Sequence, residues 1–203
     1  MNIQKEYTKN IEHILSQAVD SDYQQGITWY KEARLFCYQV SKDYSISFRK
    51  VCAILAALSP RNKWARNKSD CIALIEYLTG CSDIQPKIAT YGGMIKKATI
   101  IFNSRIDTKN HMIKLLNGQK ITAFFLNIYD VQSDFVTVDS WMQLISLGKY
   151  IPVEDRPPLK KSDYKLIEII IRDIAALNKI NPPVLQAILW TTCKRLNEQK
   201  DYN

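Results

Sequence analysis

Apolar residues recur at three- and four-residue intervals along almost the whole chain, the spacing of one face of an α-helix. The pattern predicts helices over 7–19, 27–41, 46–58, 63–79, 91–103, 108–116, 119–128, 140–148, 162–178 and 183–198. One stretch departs from it: Phe135-Val136-Thr137-Val138 is β-branched and reads as a short strand. Gly26, Pro60, Gly80, Gly92-Gly93, Gly118, Pro152, Pro157-Pro158 and Pro182-Pro183 supply the punctuation, proline by lacking an N–H and glycine by easing unusual turns. Ser162-Asp163 is expected to cap the helix after the first of these proline pairs. An all-α fold follows. The loop 149–161, with three prolines and mixed charge, is expected to link a central helical lobe to a terminal one.

The chain has 203 residues, of which 46% are hydrophobic. A chain of that size buries roughly two-thirds to three-quarters of its unfolded surface, enough for one domain or two small lobes without covalent staples. Its five cysteines contain no Cys-x-x-Cys pair, so neither a zinc ribbon nor a cysteine-ligated iron–sulfur cluster is readable. Met1–Asn10 is polar, and no apolar run reaches the roughly 18 residues of a membrane span. A soluble protein of the cytoplasm with reduced thiols is the expectation. The net charge of +8 points to a polyanionic partner such as nucleic acid, because neutralising phosphates is the commonest use of such an excess. His13 and His111 are the only histidines and lack His-Glu-x-x-His spacing. Asn117-Gly118-Gln119-Lys120-Ile121 lacks the Ser/Thr and spacing of a nucleotide-binding loop. No metal and no cofactor is expected.

Two residues carry candidate chemistry. Lys120 falls in the first turn of a helix opened by a tight turn at Asn117-Gly118-Gln119. There the helix dipole disfavours a cation and so favours the neutral, nucleophilic amine, while backbone N–H groups can face a phosphate. Asp139 ends the β-branched run and is placed to cap the next helix. Read alone, the first is equally a solvated lysine and the second simply a cap.

Gly118-x-Lys120, an apolar helix and Val138-Asp139 nineteen residues beyond the lysine together resemble the helix-hairpin-helix DNA glycosylase superfamily, in particular its lysine-bearing glycosylase/lyase branch. The resemblance covers approximately residues 45–198. It implies two helical lobes, 45–148 and 1–44 with 149–203, forming one catalytic domain over 1–203 with a cleft between them. It implies attack by Lys120 on a nucleoside's anomeric carbon with help from Asp139, and a duplex DNA partner with a damaged or modified base. Ala53–Lys63 is similar to the family's apolar helix followed by a polar loop, which would make Arg61 and Asn62 the wedge filling the gap of an extruded base, with Lys63 and Trp64 beside them. Gln186 and Trp190, at i and i+4, resemble a base-reading amide and stacking ring, with Phe124 as a further pocket wall. Lys96 and Lys97 resemble a basic helix before the hairpin, and Gly118 and Gln119 would contact phosphate.

The pattern also departs from the family. Leu115-Leu116-Asn117 stands for the usual Leu-Pro-Gly, Trp141 for a polar residue shortly after the aspartate, and the cysteine cluster of some members is missing. Gly26–Tyr30 and Leu58–Trp64 resemble small phage proteins, in a branch proposed to act on hypermodified thymine. That leaves modified-base processing, or DNA binding without chemistry, as alternatives to base excision.

Overall fold

A computed structural model describes residues 2–149, 151–152, 155 and 157–200, with the side chains of 199 and 200 left aside. It is all-α. Ten helices follow in order: α1 Ile3–Ser16, α2 Asp20–Asp43, α3 Phe48–Leu58, α4 Trp64–Thr79, α5 Gly92–Asn103, α6 Lys109–Leu116, α7 Gln119–Tyr129, α8 Ser140–Leu147, α9 Lys161–Leu177 and α10 Pro182–Lys200. Among the described residues none forms a strand. No helix among them is long and apolar enough to cross a membrane.

The chain divides into two compact units, one of Met1–Lys31 with Ser133–Asn203 and one of Glu32–Gln132. In the first unit α1, α8, α9 and α10 pack on one another around Ile11, Val136, Val138, Met142, Ile171 and Leu189, all essentially solvent-free. Pro182 opens α10, where its missing N–H costs nothing because first-turn N–H groups have no helical acceptor. In the second unit α3 is the axis. Every residue from Val51 to Leu58 is buried, and α4, α5, α6 and α7 all pack against it. A helix apolar on all sides must lie inside a protein, so its neighbours are forced to surround it.

Four expectations from the sequence are corrected. Phe135–Val138 is not a strand. The buried Tyr164 hydroxyl of α9 donates to the Val136 carbonyl at 3.0 Å and accepts from the Val138 N–H at 3.4 Å, so one side chain replaces the partner strand. Gly26 does not punctuate; it lies inside α2, where a Cβ would stand 2.4 Å from Ile188 Cγ1 and 2.8 Å from the Ile188 backbone nitrogen. The glycine lets α2 lie directly on α10. Ser162-Asp163 does not cap α9: Lys160 holds the cap position without a side-chain bond, and Asp163 falls in the first turn. The lobe bounds also shift. The division falls after Lys31 and after Gln132 because 133–148 packs with α1, α9 and α10. The loop 149–161, of which 150, 153, 154 and 156 lie outside the described residues, therefore joins two helices of one unit.

Candidate functional site

In the second unit α6 and α7 form a hairpin. Asn117 ends α6 in the left-handed conformation at φ 43°, which asparagine tolerates better than most residues. Gly118 then precedes α7 with extended backbone and no side-chain cap, leaving first-turn N–H groups without the usual side-chain acceptor. Lys97 of α5 closes the other end of the turn by donating to the Leu116 carbonyl; desolvation lowers its pKa. Lys97 is thus a hairpin brace, while Lys96 one residue earlier is exposed.

Lys120 is half-buried and makes no hydrogen bond or ion pair among the described residues. Phe124, one turn further on the same face, is buried at 7% exposure. Its ring meets Trp64 edge to face with centroids 6.4 Å apart, and Lys68 Nζ lies 5.5 Å from the Trp64 centroid. The proposed pocket wall Phe124 and the proposed loop neighbour Trp64 are therefore brought together.

The wedge pair is not. Asn62 turns inward, donating 2.9 Å to Oδ2 of Asp70, a carboxylate at 3% exposure that also accepts from Arg66 Nε at 2.6 Å and the Ala89 N–H at 2.8 Å. Arg61, held at φ 56°, lays its guanidinium over Tyr91 at 5.4 Å. Asn62 therefore serves the loop's architecture, and Arg61 and Lys63 are the exposed members. Gln119 is exposed as well.

Asp139, Gln186 and Trp190 belong to the first unit. Asp139 caps α8 as expected, but through one oxygen: Oδ1 accepts from Trp141 N–H at 2.9 Å and Met142 N–H at 3.0 Å. Oδ2 has no hydrogen bond among the described residues. Capping and chemistry are thus compatible. The Tyr164 anchor fixes the approach to this residue; burial first, with the nearby Glu168 and Asp139 charges, pushes that phenol up to about 12.

Val136 and Val138 enter the core, so side-chain alternation turns Thr137 and Asp139 the other way. On that side Thr137 Oγ1 lies 3.1 Å from Tyr30 OH, which bonds Gln186 Oε1 at 2.8 Å. Trp29 packs edge to face on Tyr30 at 4.8 Å and on Trp190 at 6.0 Å, and Lys194 lies over Trp190 at 5.5 Å. Thr137, Tyr30, Gln186, Trp29 and Trp190 thus form one polar and aromatic neighbourhood. Sequence reasoning missed Trp29, Tyr30 and Thr137. Their signal was the Trp-Tyr pair one turn past a glycine within a helix-period segment.

Charge is divided as sharply as the fold. The second unit carries 15 Lys/Arg against 7 Asp/Glu, and the first carries 13 against 13, so the whole excess of +8 lies in residues 32–132. Exposed Lys63, Lys96 and Lys114 of that unit have no acidic partner among the described residues, unlike Arg49, Arg66 and Lys109, which pair with Asp107, Asp70 and Asp130.

The molecule is thus an all-helical protein of two units, one strongly basic and one electrically balanced. Its sequence matches the model of a family of unknown function, DUF7178, over residues 2–197, and the chain belongs to that family. No curated protein and no solved structure matches it.

Proposed function

We propose that the protein binds DNA and excises a damaged or modified base, with Lys120 as nucleophile and Asp139 as its acidic partner. The observation that carries this reading is the condition of Lys120, a half-buried amine at the start of a helix without a side-chain cap and with no acid or carbonyl among the described residues to occupy it. A lysine kept only for solubility extends into water and gains nothing from such a place.

In the proposed reaction the extruded nucleotide presents C1′ to the Lys120 amine. The C1′–N bond to the base breaks as the C1′–Nζ bond forms, and the base leaves with the electron pair and takes up a proton. Asp139, its Oδ2 unused by the cap, stabilises positive charge developing on the sugar and relays protons. Loss of the amine proton and ring opening give a Schiff base. Abstraction of a C2′ proton then expels the 3′ phosphate by β-elimination. Lys63, Lys96 and Lys114 hold the backbone through phosphate contacts without regard to sequence.

The test is borohydride reduction of the protein mixed with duplexes that each carry an abasic site or one damaged or modified base. A covalent adduct that disappears in Lys120→Gln is expected. Absence of any adduct across the panel, or an adduct that survives the substitution, removes the imine. A second reading, DNA binding without chemistry, draws on the charge division alone; it predicts that Lys120→Gln binds DNA almost as the parent does and that no duplex in the panel yields product. A third, processing of a bulky modified thymine, would instead appear as an altered nucleoside by mass spectrometry of the treated DNA.

A further inference from the structure

The basic unit contains a groove whose lining residues take no part in the proposed excision. It lies between α5 and α6, has a volume of about 330 Å3 and is lined by Thr99, Ile100, Asn103, Ser104, His111 and Leu115, a size within the range of small-molecule sites. Residues 104–108 alone join the two helices, and Lys97 of α5 reaches the Leu116 carbonyl of α6. The helices therefore run antiparallel, with the end of α5 beside the start of α6. Chemistry changes along the groove as a result. At one end stand Asn103 and His111, whose side chains make no hydrogen bond or ion pair among the described residues; the Thr99 and Ser104 hydroxyls already donate to the Ile95 and Ile106 carbonyls. In the middle Leu115 and Ile100, the latter 47% exposed, form an aliphatic floor. Lys96, one turn before Ile100, and Lys114, one turn after His111 and next to Leu115, supply charge toward the other end. Asp107 is the one acid between Gly92 and Gly118, and Arg49 occupies it at 3.0 Å. From Lys96 to Asn103 the helix rises about 10 Å.

We infer that this groove binds a nucleotide, free or carried in a strand, with the base edge on Asn103 and His111, ring and sugar on Ile100 and Leu115, and phosphate between Lys96 and Lys114. The order of chemistry along the groove is the order along a nucleotide. An amide beside an imidazole offers donors and acceptors together, which any base edge requires. A ring laid on Ile100 removes an exposed aliphatic surface from water, and two unpaired ammonium groups neutralise a phosphate. An acidic peptide would satisfy the lysines, but its apolar anchor would strip water from Asn103 and His111 without replacing the lost hydrogen bonds. The inference is independent of the excision reading, since neither Lys120 nor Asp139 enters it.

The test is titration of the full chain with the four deoxynucleoside 5′-monophosphates, the matching nucleosides, inorganic phosphate and a mixed tetranucleotide, following the imidazole C2 protons by NMR. The chain has two histidines: His111 lines the groove, and His13 of α1, in the other unit, is the internal control. At least one monophosphate is expected to move the His111 signal and leave His13 in place. It should bind roughly tenfold or more tightly than its nucleoside or phosphate alone, the size of a hydrogen bond to a charged group. Lys96→Ala combined with Lys114→Ala should reduce it to the nucleoside's affinity. Asn103→Leu, similar in size and at an exposed position, should weaken monophosphate and nucleoside alike by roughly three- to tenfold and leave phosphate unchanged. A tetranucleotide tighter than the monophosphate identifies strand nucleotides as the source, and a weaker one identifies free nucleotides; both support the site. A His111 signal unmoved by all four monophosphates, equal movement of both histidines, or phosphate binding as tightly as the best monophosphate overturns the inference. So does an acidic peptide with one leucine that moves His111 at lower concentration than any nucleotide. Lys120→Gln should leave every titration unchanged while removing the borohydride adduct, so this inference and the excision reading fail separately.

Discussion

Replacing Gly26 with alanine sets two effects against each other, and the structure decides the sign. In an exposed helix interior the change stabilises, since alanine exceeds glycine in helix propensity by about 1 kcal/mol. Inside α2 the new methyl would stand 2.4 Å from Ile188 Cγ1, 2.8 Å from the Ile188 backbone nitrogen and 3.0 Å from its Cα. A side-chain tip can rotate aside, but backbone cannot, so α2 must lift from α10. Overpacking of a tight contact costs typically 1–3 kcal/mol, and the backbone clash places this case at or above the upper end. The net expectation is a loss of about 2 kcal/mol or more, or at least roughly 4–8 °C in melting temperature for a chain of this length, read by circular dichroism. The effect should also reach Tyr30, one turn along α2, whose hydroxyl meets Gln186 of α10 at 2.8 Å. A variant that melts higher than the parent would show that the two helices are free to separate and would refute the reasoning.

Asp139→Asn should leave the melting temperature within about 1–2 °C, because asparagine caps as well as aspartate, while abolishing borohydride-trappable product; Asp139→Ala should cost about 1 kcal/mol as well. Asp22, at 2% exposure, is raised in pKa by burial but held below the usual value overall by its hydrogen bonds to Arg195 and the Val19 N–H and by the Arg195 charge. A depressed folded-state pKa contributes stability above the unfolded value that is lost as pH falls through the folded one. The melting-temperature gap between the parent and Asp22→Asn should accordingly be full near pH 6 and shrink below about pH 4; a gap independent of pH would contradict this. Replacing Lys63, Lys96 and Lys114 with alanine should each lower the slope of log affinity for duplex DNA against log salt by about 1. Lys160→Ala and Lys161→Ala, in the balanced unit, should leave that slope unchanged, and equal effects in both units would defeat the assignment. Tyr164→Phe, which removes the hydroxyl that holds Val136 and Val138, should cost about 1–2 kcal/mol in urea denaturation.

The helices were legible because helical periodicity is local, and burial of one face needs no knowledge of what covers it. The bounds of α3, α4, α5, α6, α7 and α8 fall within two residues of expectation for that reason. Gly26 was misread because its role lies in a contact with Ile188, 162 positions away, and a glycine chosen for close approach looks the same in sequence as one chosen for a turn. The β-branched run was misread for a related reason. Valines at 136 and 138 report that the backbone is extended and buried, but its hydrogen bonds go to Tyr164, which sequence alone does not announce. In the candidate site, Lys120 and Asp139 were visible as a turn and a cap. Tyr30 and Thr137 were not, since a tyrosine inside a helix becomes specific only once its hydroxyl has partners. Asn62 shows the converse: an exposed-looking polar loop residue whose amide is consumed by buried Asp70.

The same run governs how the protein behaves once it is heated. Folded, Val136 and Val138 have their backbone held by the Tyr164 hydroxyl and their side chains sealed in the core. Unfolded, the run becomes a short β-prone segment with nothing to pair with except another copy of itself, the composition from which cross-chain stacking starts. The chain brackets it with two aspartates, Asp134 before and Asp139 after, and charges in those places are what keep such segments apart in solution. Asp139 thereby acquires an employment that has nothing to do with folding or catalysis: it repels neighbouring denatured chains. Thermal unfolding of the Asp139→Asn protein should be less reversible than that of the parent even where the two melt at the same temperature.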